Sequence, residues 1–288
     1  MTAQTFRFEK ELPSRLESLT DIHPVIDQWI SAAHLDLQRG HHVAVAVSEA
    51  VTNAIIHAQP QADDDTVYVH LWTEGDRLCA EVGDRGTRAW RVPPPPDPSN
   101  WEQTGGRGLA LIRLMAHEFS IEPRSGGGTL IRMTFLTTPG TTEDRQVPDI
   151  DTATVEVRTD TKQGEPDMDY RVEKHEEVDV LKVSGRLDLV SSNNLKDSVR
   201  QRLDSKRTLL VLNMQGVDFI NSSGLGALVS ILKDVRLVNG RLVLSELAPY
   251  VQEIFEITQL ANVFEIKPTE AEAVQMMTLH REPELVRK

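Results

Sequence analysis

Residues 139 to 167, PGTTEDRQVPDIDTATVEVRTDTKQGEPD, carry neither of the two hydrophobic periods that build secondary structure, and no other feature constrains the fold of this chain so strongly. The stretch is rich in Thr, Asp, Glu and Pro and reads as an acidic linker. It separates residues 1–138 from residues 168–288, and each half has enough patterned sequence for a core of its own. A flexible segment of this length spans about 30 Å, enough to bring a loop of one domain to a site on the other.

The first half mixes both periods. Residues 5–9, 66–72, 77–82 and 129–135 alternate as strands do, while 22–36 and 41–58 space their apolar residues as helices do. A mixed layer of helices on an antiparallel sheet is expected. In the second half DVLKVSGRLD, TLLVLNMQGV and GRLVLSEL read as strands, with helical patterns at 191–204, 223–237, 249–257 and 269–277. That alternation predicts a small α/β domain with crossover connections. The single cysteine, Cys79, falls in the alternating RLCAEV and reads as a buried strand thiol.

Charge narrows the function classes. A formal net charge of −13 opposes attraction to nucleic-acid backbones and anionic membranes, so no direct nucleic-acid partner and no membrane partner is expected. The amino-terminal MTAQTFRFEKELPSRLESL has no signal-peptide core, and no apolar run approaches ~18 residues. The expected location is cytoplasmic.

Chemistry concentrates in four places of the first half. In SEAVTNAIIHA, Glu49 and Asn53 stand four apart and share one helix face. An Asn oxygen is a hard ligand suited to Mg²⁺, and a carboxylate can take the proton of an attacking hydroxyl. An exposed Glu and an Asn packed near a helix end would give the same spacing. In AEVGDRGTRAW, Asp84 and Gly86 follow a strand, where a carboxylate can accept hydrogen bonds from an exocyclic amine; a plain Asp-Gly turn is the alternative. TGGRGLALIRLMAHEF opens an apolar helix pattern with Gly105, Gly106 and Gly108, and SGGGTLIRMTF sets Gly128 and Thr129 at the start of a strand.

Taken in this order and spacing, the four segments resemble the N, G1, G2 and G3 boxes of GHKL ATPases, and within them the anti-sigma-factor serine kinases. The resemblance implies a GHKL (Bergerat) α/β sandwich that binds ATP with Mg²⁺. It makes Glu49 the general base, Asn53 the Mg²⁺ ligand, and Asp84 and Thr129 the adenine-recognising pair. Gly86, Gly105, Gly106 and Gly108 then shape the pocket and its lid. Arg88 stands where the G1 box usually has its last glycine. The P-loop GxxxxGK[ST] signature is absent, and no phosphoacceptor-histidine helix precedes the segment.

In the second half, VDFINSSGLGALVSILKDV runs from a strand into two serines, a glycine and an amphipathic helix pattern. Ser222 and Ser223 sit at a helix N-terminus, either as caps or as hydroxyls whose phosphate the adjoining N–H groups can hold. Residues 169–280 resemble a STAS domain of the anti-anti-sigma-factor kind. That resemblance implies phosphorylation of Ser222, with Ser223 and Asp188 supporting the acceptor loop. Asn221 and Asn213 stand where the family usually has Asp.

The sequence therefore predicts a bacterial partner-switching regulator: a serine kinase domain fused to a STAS domain, phosphorylating the STAS serine of its own chain or of a partner. The resemblance adds a sigma factor and a serine phosphatase as partners, and a homodimer. The alternative is a non-catalytic module in which nucleotide gates the capture of a partner protein; a metabolic ATPase fits poorly, because no small-substrate pocket is suggested.

Overall fold

The computed structural model describes residues 6–57, 66–85, 107–124, 127–138 and 168–279. Gly86, Arg88, Gly105, Gly106 and the linker at 139–167 lie outside the described residues.

The first unit is a single antiparallel sheet with helices on one face. Its strands are β1 (Arg7–Pro13), β2 (Thr66–Glu74), β3 (Arg77–Gly83), β4 (Glu118–Pro123) and β5 (Thr129–Leu136), in the order β1-β2-β3-β5-β4. The helices are α1 (Glu17–Ala32), α2 (Leu37–His57) and α3 (Arg107–Met115). The alternation in β2 explains the layering: Val67, Val69 and Leu71 are buried, while Tyr68, His70 and Trp72 point to the other face. Cys79 is buried in β3, as expected. Helix α1 begins earlier than its apolar spacing suggests, and Pro24 lies inside it. A proline there forfeits one backbone hydrogen bond. Burial of Leu19, Ile22, Ile26 and Trp29 along one face offsets that loss.

In the second unit the strands are β6 (Met168–His175), β7 (Val178–Leu187), β8 (Leu209–Ile220), β9 (Arg241–Ser245) and β10 (Glu265–Lys267). They are ordered β10-β9-β8-β7-β6, parallel except for the β6–β7 hairpin. The helices are α4 (Ser192–Asp204), α5 (Ser222–Leu237), α6 (Pro249–Ile257) and α7 (Glu270–Leu279). Both faces of this sheet are covered. Val211 and Val243 pack with Ala273 and Met277 of α7, while Leu210, Leu212, Leu242 and Leu244 belong to the larger cluster with α4 and α5. Parallel strands need burial on both faces, which is why β8 reads as a nearly continuous apolar run.

That larger cluster is continuous between the two units. It includes Trp29 and Val45 of the first and Phe219 and Phe255 of the second. Helix α2 touches β8, and α3 touches α5, so the N-terminal end of α5 is held against the helical layer of the first unit.

Candidate functional site

Helix α2 carries the site. Residues 38, 42, 49 and 53 are spaced by four, seven and four, which places Gln38, His42, Glu49 and Asn53 in one stripe along it. Glu49 is only 1% exposed. Burial raises its pKa from the ordinary 4.5 to about 6, against the lowering effect of two hydrogen bonds from Ser222. The Ser222 N–H donates to Glu49 Oε1 over 2.5 Å, and the Ser222 hydroxyl donates to Oε2 over 2.7 Å. The candidate base and the candidate acceptor, 173 residues apart in sequence, are thus in direct contact.

Gly108, the second residue of α3, closes over this pair. A Cβ there would lie 2.2 Å from Glu49 Oε2 and 3.3 Å from Ser222 Oγ. Its glycine is required by close approach rather than by an unusual backbone angle.

Asn221 decides which group caps α5. Its side-chain oxygen accepts the N–H groups of Ser223 and Gly224, each at 3.1 Å. The reading of Ser222 and Ser223 as side-chain caps is therefore replaced: the cap is the residue before them. The Ser222 hydroxyl is left to point at Glu49. Asp188, 1% exposed, orders the neighbouring turn. Its Oδ1 accepts Val190 N–H at 2.9 Å, Ser191 N–H at 3.2 Å and the Ser191 hydroxyl at 3.3 Å. A Cβ on Gly224 would fall 2.1 Å from the Leu187 carbonyl oxygen, so the acceptor loop packs directly on the backbone next to Asp188.

Asp84, Gly128 and Thr129 meet where β3 ends and β5 begins. The Asp84 N–H donates to the Thr129 carbonyl at 3.0 Å, and Gly128 has φ +86 with Asp84 O 2.2 Å from where a Cβ would be. Glycine is demanded there by both angle and space. Asn53, one turn beyond Glu49, is half-buried, and its Nδ2 has no hydrogen-bond partner among the described residues. A buried amide left unpaired is costly in a closed core, and this one fits an Mg²⁺-nucleotide site: the oxygen is a hard ligand and the nitrogen a spare donor. Asn213 is elsewhere. Its Nδ2 donates to Glu246 Oε2 at 2.9 Å and Glu270 Oε2 at 2.5 Å, and its Oδ1 accepts Gln215 N–H at 3.0 Å.

Several residues at the contact between the units were not singled out by motif. His23 of α1 is buried with its Nε2 3.9 Å from Asp188 Oδ2 and its ring 5.9 Å from that of Phe219. Burial, with the charge of Arg186, lowers its pKa from 6.5 to about 3. His41 is lowered to about 4, again chiefly by burial. Arg186 itself lies over the Phe219 ring, 3.7 Å from its centroid. None of the three, His23, His41 and Arg186, lies in the stripe of Gln38, His42, Glu49 and Asn53, and no sequence signal marked them.

Comparison with known proteins assigns both units. The histidine kinase-like ATPase domain model matches residues 12–135, and the STAS domain model matches residues 169–273. Over 109 residues the chain is 30% identical to an anti-sigma F factor of Thermoanaerobacter sp. (strain X514), covering 36% of this chain and 76% of that protein. Over 90 residues it is 30% identical to an anti-sigma-B factor antagonist of Listeria monocytogenes, covering 31% of this chain and 79% of that protein. A crystal structure of an anti-sigma factor antagonist from Mycobacterium paratuberculosis aligns with a TM-score of 0.36 and 26% identity, over 40% of this chain and 97% of that one.

Proposed function

The chain belongs to the anti-sigma factor and anti-sigma-factor-antagonist family, with a histidine kinase-like ATPase domain followed by a STAS domain, and from that premise we propose that it is a protein-serine kinase fused to its own phosphoacceptor. The observation that carries this reading is the 2.7 Å hydrogen bond from the Ser222 hydroxyl to Glu49 Oε2.

Glu49 is the base and Ser222 the nucleophile. The Ser222 oxygen attacks the γ-phosphorus of ATP as its proton passes to Glu49; the new O–P bond forms while the bond to the β–γ bridging oxygen breaks, and ADP leaves. A carboxylate poised at about 6 is mostly ionised at neutral pH yet still basic enough to help. Asn53 is the residue that would hold Mg²⁺, which supplies charge neutralisation on the transferred phosphoryl group. Asp84 and Thr129 are assigned to adenine, and Gly86, Gly105, Gly106 and Gly108 to the pocket and lid. Ser223 and Asp188 support the acceptor loop.

The domain limits proposed are 1–138 and 168–288, joined by 139–167. Phosphorylation then changes which partner is bound, in the setting of a sigma factor, a separate STAS protein and a resetting serine phosphatase, in the cytoplasm. No described helix is long and apolar enough to cross a membrane. The continuous apolar cluster between the units favours a second reading, a binding module in which nucleotide shifts their docking without phosphoryl transfer.

Incubation with γ-labelled ATP separates the two. Label mapped to Ser222, and lost in Ser222→Ala, is expected; bound nucleotide with no label on any serine would select the second reading.

A further inference from the structure

The contact at Ser222 is not the only one between α2 and the STAS unit. Two to three helix turns before Glu49, the same stripe meets α6. Gln38 Nε2 donates to Glu253 Oε2 at 3.1 Å, and His42 Nε2 lies 3.1 Å from the same oxygen. The neighbouring His41 ring stacks on Tyr250 at 3.9 Å between centroids and 25° between planes. Tyr250 is itself fixed, because its hydroxyl donates to the Val217 carbonyl of β8 at 2.9 Å. Tyr250 and Glu253 are three apart, so one face of α6 presents an aromatic ring and a carboxylate together.

The geometry explains why two contacts serve better than one. Helices α5 and α6 both begin at the carboxyl ends of parallel strands, so their N-termini share one edge of the STAS sheet. From residue 42 to residue 49 is about 10 Å along α2. A single hydrogen-bonded serine leaves the STAS unit free to rotate about that point, whereas a second anchor at this separation fixes its orientation. The carboxylate at Glu253 is held below its ordinary pKa, with the His42 hydrogen bond as the leading cause, so it remains charged in the contact.

We propose that Gln38, His41 and His42 form a recognition patch that selects the STAS domain to be phosphorylated, by reading an aromatic residue and a carboxylate three apart at the start of the helix after β9. The preferred partner is a STAS domain bearing this pair, and in this chain that is its own. The proposal rests on the reading of the chain as a Ser222 kinase, and it names what gives that kinase its choice of substrate.

The test uses full-length chains. Glu253→Lys removes the shared acceptor and sets a cation against His42; the initial rate of Ser222 labelling should fall about ten- to a hundredfold. His42→Glu alone should fall similarly, and the two together should recover to within about threefold of the parent, which loss of a merely structural side chain would not allow. A donor carrying Ser222→Ala with Glu253→Lys should label Glu49→Gln chains faster than a donor carrying Ser222→Ala alone, because its own STAS unit no longer fills the patch. Parental labelling by Glu253→Lys, or no recovery in the double variant, would overturn the proposal. Amide exchange over residues 37–49 and 249–257 gives a readout independent of transfer: faster exchange in Glu253→Lys supports the patch, and unchanged exchange overturns it. If the parent labels no serine while exchange responds, the kinase reading fails and the docking patch stands.

Discussion

Gly108→Ala isolates the geometry of the proposed transfer from the stability of the fold. The added methyl carbon would sit 2.2 Å from Glu49 Oε2, where real contacts are essentially never below 3.0 Å, so the two atoms must separate by about 1 Å. Glu49 Oε2 is the far end of a flexible side chain, so the carboxylate yields rather than the helices. The substitution therefore costs the fold little, and alanine in place of glycine in a helix offsets up to ~1 kcal/mol. The cost falls on chemistry. The atom that moves is the one accepting the Ser222 hydroxyl, and Ser222 Oγ at 3.3 Å is crowded as well. A displacement of about 1 Å in a reacting pair reduces rate by on the order of a hundredfold. The assay pairs single-turnover labelling of Ser222 at saturating ATP with thermal melting. A hundredfold slower transfer at an unchanged melting temperature is expected. A well-folded Gly108→Ala chain labelling at the parental rate would refute the assignment of Glu49 Oε2 as the proton acceptor.

Glu49→Gln should slow labelling by ~10² to 10⁴ while leaving ATP binding in place, measured by nucleotide titration beside the kinetics; parental labelling would remove Glu49 from the mechanism. The labelling rate should rise about tenfold from pH 5 to pH 7 with a midpoint near 6, following ionisation of Glu49, and a flat profile would count against it. Stability follows the opposite sign for that group: its raised pKa favours the folded chain below pH 4.5, and this is lost as pH rises through about 6. His23 acts the other way, its contribution being present above 6.5 and lost as pH falls toward 3, so melting temperatures followed over pH 4–8 should decline on the acid side. Asn213→Asp should destabilise the STAS unit by about 1–3 kcal/mol at pH 7, because it replaces the donor between Glu246 and Glu270 with a third carboxylate. Urea unfolding should show the deficit shrinking at pH 5; an unchanged midpoint at pH 7 would contradict the bridging role.

The sequence made the interior legible and the rims illegible. Strands β2 and β5 alternate cleanly because one face of each is buried, and β7 to β9 are apolar because they are covered. Only Glu118 and Phe119 of β4 fall within the helix pattern of 104–119, and the rest of the strand carries no period: Phe119 and Ile121 are only half-buried at the sheet edge, so the alternation is weak. Strand β6 was missed for the same reason, with Met168 its one fully buried residue. At the site, Glu49, Asn53 and Ser222 stand out through the resemblance of their segments to known motifs; residue type alone leaves a plain helix face and a pair of helix caps as alternatives. The juxtaposition of Glu49 with Ser222 was open to inference only as a distance a linker can span. His23, His41, Tyr250 and Glu253 left no motif, since their meaning lies in a contact between elements far apart in sequence. Asn221 and Asn213 looked like lost charges. In the structure one is a helix cap and the other a bridge between two acids, roles in which an amide's hydrogen-bonding capacity is used directly.

The Ser222–Glu49 contact within a single polypeptide also bears on what such a protein can report. A kinase with a diffusing substrate amplifies, since one molecule modifies many. Under the proposed transfer to its own acceptor, a donor site would be spent by its first turnover, and each molecule would then store one bit until another enzyme erased it. The output would count protein molecules rather than catalytic cycles. Its ceiling would be set by how much of the chain the cell makes, and the duration of the stored state by the eraser rather than by the writer.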